Sequence, residues 1–85
     1  MIRIVVMENR WVSVGVYTEE ADKVVLRNAA VIRYWGTTGG LGQIAVDGPT
    51  PSTKLDKTPT EFIQKSKVIK TIECDEDKWK KALGL

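Results

Sequence analysis

Val12, Val14 and Val16 alternate with Ser13 and Gly15 through the segment Trp11–Tyr17. The period is two, which matches a half-buried strand and no helix. Ile2–Met7 repeats the pattern, with Ile2, Ile4 and Val6 on one face and Arg3, Val5 and Met7 on the other. Glu8-Asn9-Arg10 reads as the turn between these two strands, and Thr18–Asp22 as the turn that follows. Lys23–Arg27 is a short third strand with Val24 and Leu26 inward. Asn28-Ala29 breaks the rhythm, as a bulge or a tight corner does. Extended structure then resumes over Ala30–Trp35. A helix over residues 27–35 competes for this stretch, but Val31, Ile32, Tyr34 and Trp35 all favour strands.

Four glycines fall in the seven residues Gly36–Gly42, too many for a regular element. Gln43–Val46 is expected to be a short strand, which makes Arg33–Val46 a hairpin with a glycine-rich tip. Residues 47–61 form the longest irregular segment, with a brief extended piece at Thr53-Lys54-Leu55. Packing resumes at Phe62-Ile63, and Lys67–Glu73 is the last strand. Asp75 suits a helix N-cap, Glu76 and Asp77 a first turn, and Lys80 and Lys81 a last one. Trp79 and Leu83 lie four apart on one face, and Gly84 ends the helix. Trp79 is the natural core anchor of so short a helix. With 85 residues the chain makes a single domain over 1–85. The expected fold is mainly β: a bent antiparallel sheet of five or six strands, or a half-open barrel, with a short C-terminal helix at about 75–83.

Histidine is absent and Cys74 is the lone cysteine. Cys–His nucleophiles, multi-cysteine zinc sites and serine triads are therefore excluded. The acidic run Glu73–Asp77 lacks the spacing of a calcium loop and is explained by capping. Asp47 and Asp56 suit Asx turns. The chain is expected not to be an enzyme and to carry no cofactor and no metal. Cys74 reads as a buried thiol. The apolar run Ile2–Met7 is too short for a membrane span or a signal segment, and one cysteine suits a reducing cytoplasm. The net charge of +2 comes entirely from residues 54–85. That surplus is a weak signal for a polyanionic partner and is equally a solvated lysine surface.

Arg33, Tyr34 and Trp35 stand directly before the glycine run. Strict alternation sets Arg33 and Trp35 on one face, where they can hold a phosphate and stack a base. Thr37 and Thr38 add hydroxyls. Gly39, Gly40 and Gly42 can turn successive N–H groups toward one point, making an anion nest. The candidate ligand-binding residues are thus Arg33, Trp35, Thr37, Thr38, Gly39, Gly40 and Gly42. The run matches neither a GxxxxGK[ST] phosphate loop nor a dinucleotide fingerprint. A plainer reading is also open: Arg33 pairs with a surface carboxylate, Trp35 packs on a neighbour, and the glycines merely turn the chain. Trp11 is similarly either a contact residue or a packing one.

The stretches Val24–Ala29, Trp35–Gly42, Gly48-Pro49-Thr50 and Ile72–Asp75 resemble small proteins encoded by tailed phages and prophages of gut bacteria. The resemblance spans roughly residues 23–79 and assigns no catalytic residues. It implies a phage accessory protein in the host cytoplasm. Such proteins often bind and disable a host factor, a defence-signalling nucleotide or nucleic acid. The expected function is accordingly non-catalytic binding that counters host defence. A small anionic, nucleotide-like ligand or a host protein is sequestered. A nucleic-acid-binding accessory role and a minor structural or assembly role are the alternatives. Three tryptophans and two tyrosines in so small a chain also lead us to expect a homo-oligomer.

Overall fold

The computed structural model describes all residues from Met1 to Leu85. Strand β1 (Ile2–Met7) pairs antiparallel with β2 (Val12–Glu20), and β2 with the long β3 (Lys23–Tyr34). Helix α1 (Gly40–Asp47) follows. Next come β4 (Lys54–Lys57), β5 (Glu61–Gln64), β6 (Val68–Glu73) and helix α2 (Glu76–Leu83). The sheet order is β4-β3-β2-β1-β6. Strand β5 also borders β3, pairing Lys23–Leu26 while β4 pairs Ala30–Tyr34. This is a mainly β fold with an open six-stranded antiparallel sheet, not a closed barrel, and with a C-terminal helix.

The sheet bends sharply. A flat sheet would set the outer strands β5 and β6, with three strands between them, roughly 19 Å apart. The four Cα steps from Gln64 to Val68 reach about 14 Å at most. The far half of the β2–β3 hairpin must therefore fold back over the sheet. The hinge is a bulge where the register shifts between Val14 and Val16, opposite Asn28 at φ 51°. Gly15 sits in that hinge because a Cβ there would meet the Arg27 carbonyl oxygen at 3.0 Å and the Ala29 Cα at 3.2 Å. Lys65 and Lys67 close the fold with exposed ion pairs to Glu19 (3.3 Å) and Glu8 (3.5 Å).

Both faces of the sheet are covered. Ile2, Ile4, Val12, Val14, Ala30 and Ile32 pack against Ile44 and Ala45 of α1 and Trp79 and Leu83 of α2. On the other face, inside the fold-back, lie Val5, Val24, Leu26, Ala29 and Ile63. Helix α2 is built as its sequence requires. The Asp75 carboxylate accepts from the Lys78 N–H at 3.0 Å, and Gly84 closes the helix in the left-handed region. Glu76 accepts from the Ile2 N–H at 2.7 Å, tying the helix to β1.

The expected strand Gln43–Val46 is instead the second half of α1, so residues 33–46 form no hairpin. Leu41, Ile44 and Ala45 fall at the i, i+3, i+4 spacing of a helix. Ile44 and Ala45 are fully buried. Burial of that stripe outweighs the poor helix propensity of Gly42 and Val46, while Gly40 enters the helix at φ 74°, where glycine is favoured. Gly48, at φ 83°, terminates the helix and donates to the Ile44 carbonyl.

Cys74 is buried at the β6–α2 junction. Burial pushes its thiol from an ordinary 9.0 up to about 12. Between those values the unfolded thiol ionises while the native one stays protonated. The unfolded state then binds fewer protons, so this contribution is complete below about pH 9 and is lost as pH rises toward 12. Urea melts of the wild type should therefore weaken more steeply over that window than those of Cys74→Ala. Parallel pH curves for the two proteins would show that the thiol is not desolvated.

Candidate functional site

The β1–β2 turn carries two consecutive residues at positive φ, Asn9 at 62° and Arg10 at 65°. Asn tolerates this region well, whereas for arginine it costs about 1–2 kcal/mol. Trp11 follows, and 60% of it is exposed despite its size. Strands β2 and β3 pair Ser13 with Val31 and Val14 with Ala30. Continuing that register sets Trp11 across from Arg33. Between the turn and β3 lies an open groove of about 330 Å³, lined by Asn9, Arg10, Trp11, Val31 and Arg33 together with Val12 and Ile32.

The charges in the groove differ in their freedom. Arg33 is shared with Asp56 of β4, Nε to Oδ2 at 3.3 Å and Nη1 to Oδ1 at 3.4 Å. Asp56 pairs with Val31, two residues before Arg33 on β3. Both partners are solvent-exposed, so the pair is worth little to stability. Arg10 has no carboxylate within ion-pair distance, since the four ion pairs of the chain involve Met1, Arg33, Lys65 and Lys67. The groove is thus lined by Trp11, by Arg10 without an ion-pair partner, and by Arg33 with one.

The residues singled out from the sequence run from Arg33 in the groove through the connection into α1. Arg33 lines the groove, but a register shift between Ile32 and Tyr34 interrupts the alternation. A shared face for Arg33 and Trp35 therefore no longer follows from counting by two. Trp35 leaves the strand, and its carbonyl accepts from the Thr53 hydroxyl at 2.6 Å. The Gly36 carbonyl accepts from the Thr50 hydroxyl at 3.2 Å. Thr37 donates to Gln43 Oε1 at 2.7 Å and accepts from the Gly39 N–H at 3.3 Å. Thr38 lies in the same connection. Gly39 is the N-cap of α1, and Gly40 and Gly42 lie in its first turn. Most of this segment is engaged in joining β3 to α1. Arg10 was not marked as a site residue by the sequence, which left Trp11 open between contact and packing. The one signal available was a tryptophan on the strand face opposite the valines.

No three His, Cys, Asp or Glu side chains come close enough to hold a metal ion. No helix is long and apolar enough to cross a membrane. A family model, the domain of unknown function DUF6948, matches residues 3–82. The chain belongs to the DUF6948 family. No curated protein matches it. The DUF6948 match runs from β1 through most of α2 and so takes in both walls of the groove and both helices. The family description states no activity, which leaves the groove's own chemistry to indicate one.

Proposed function

We propose that the chain is a non-catalytic binding protein that captures a small anionic, nucleotide-like ligand in the groove between the β1–β2 turn and β3. The observation that carries this reading is Trp11, left largely uncovered in a groove that Arg10 and Arg33 also line. An exposed indole in a folded chain forgoes the burial that usually stabilises it. Stacked on a base it recovers about 1–3 kcal/mol, while guanidinium donors hold the negative charge. The absence of histidine leaves the groove without the commonest general base near neutral pH, which supports capture rather than turnover.

The proposed setting is the cytoplasm of an infected cell, where the ligand would be a signal of host defence. The resemblance over roughly residues 23–79 to small phage and prophage proteins is what suggests that setting. We further propose a homo-oligomer, since Phe62 on β5 and Ile69 on β6 leave large apolar side chains exposed on strands at the sheet edges. A second reading, single-stranded nucleic acid, is favoured by exposed Tyr34 and its β4 partner Lys54, which extend the aromatic and basic line beyond Arg33.

Titration with a panel of nucleotides and with a short single-stranded DNA, each at two salt concentrations, tests both readings. The expected result is saturable nucleotide binding that weakens about tenfold or more in Trp11→Ala and several-fold in Arg33→Ala. A steep loss of DNA affinity with salt, exceeding that of any nucleotide, would favour the nucleic-acid reading. Equal affinity in wild type and Trp11→Ala would remove the groove from the account.

A further inference from the structure

We infer that Arg10 is the anion-recognising residue of the groove and that the ligand is a phosphomonoester of a ring compound rather than the neutral ring alone. This rests on the reading just proposed and assigns the specificity of the same site. In an extended chain, neighbours such as Arg10 and Trp11 point to opposite faces. The positive φ of Asn9 and Arg10 breaks that alternation, and both Arg10 and Trp11 line one cavity. The left-handed backbone is the feature that lets both residues line one groove.

The residue type at position 10 runs against its backbone. Glycine adopts this conformation freely and is the preferred residue in the second position of such a turn. Arginine carries strain there, and its charge finds no carboxylate within the chain. Strain of this kind collects at functional sites. Arg33 is different, because Asp56 already compensates its charge. A phosphate approaching Arg33 meets that carboxylate, while one approaching Arg10 meets an unshared fork of donors. The ring therefore rests on Trp11 with its phosphate on Arg10, and Arg33 forms the opposite wall.

The test compares adenosine with adenosine monophosphate, using wild type, Arg10→Gly, Arg10→Lys and Trp11→Ala. The wild type should prefer the monophosphate about tenfold or more. Arg10→Gly should melt a few degrees higher, because strain is relieved, yet bind both compounds alike. Arg10→Lys keeps the charge without the fork and should retain part of the preference. An unchanged preference in Arg10→Gly, or equal wild-type affinity for both compounds, overturns the inference and leaves the groove standing as a site. Failure of the wild type to bind either compound at millimolar concentration overturns the underlying reading and this inference with it.

Discussion

Trp79→Ala should lower the unfolding free energy by about 3–5 kcal/mol, the range for a large aromatic removed from a core. The side chain is fully buried. Its indole N–H donates to the Ile44 carbonyl at 2.8 Å, so it joins α2 to α1 as well as to the sheet. Helix α2 has only eight residues and does not persist alone. A chain of this length commonly has about 4–13 kcal/mol in total, so the variant loses a large share of it. Trp79→Phe keeps most of the apolar volume and forfeits mainly the hydrogen bond, an effect of about 1 kcal/mol. Thermal melts of the three proteins should rank in that order. A Trp79→Ala melting temperature within two or three degrees of wild type would mean that α2 is not docked as described.

Gly36→Ala and Gly42→Ala should move stability in opposite directions. Gly36 has φ +68°, and a Cβ there would lie 2.5 Å from the Ser52 carbonyl carbon and 2.7 Å from its oxygen. The methyl group must push β3's exit away from the Thr50–Thr53 turn. That motion disrupts the two threonine hydrogen bonds to the Trp35 and Gly36 carbonyls. Left-handed strain together with those bonds comes to about 3 kcal/mol. Gly42 lies inside α1 with nothing within 4 Å of its missing Cβ. Alanine there gains helix propensity, up to about 1 kcal/mol. Denaturant midpoints read both effects. A Gly36→Ala protein as stable as wild type would contradict the tight seam between Trp35-Gly36 and the Thr50–Thr53 turn.

These elements also mark how far the sequence alone could be read. Strands β1 and β2, the break at Asn28, the Asp75 cap and the Gly84 stop each rest on local chemistry: apolar residues at period two, a residue tolerant of positive φ, a carboxylate acceptor, a missing Cβ. Helix α1 was hidden because its local chemistry points the wrong way. Gly42 and Val46 disfavour a helix, and only packing of Leu41, Ile44 and Ala45 beneath the sheet reverses that preference. The helix stripe was present, but two glycines and a β-branched residue in eight positions obscured it.

The groove was less legible for a related reason. Counting back from the tight β2–β3 turn, where Glu20 pairs with Lys23, would set Trp11 across from Ile32, not Arg33. The single extra residue at the Asn28 bulge shifts the register by one, so that continuing it from Ser13–Val31 sets Arg33 rather than Ile32 across from Trp11. Local sequence locates that bulge but does not fix its effect on partners. The backbone of Arg10 was similarly out of reach, since arginine gives no hint of a left-handed conformation.

Amide shift mapping with adenosine monophosphate locates the site. The account expects shifts that saturate together at Asn9, Arg10, Trp11, Val31 and Arg33, with the Trp11 indole N–H moving most through ring stacking. Saturating shifts centred instead on Gly39–Gly42 or on the lysines of α2, with the Trp11 indole unmoved, would contradict it.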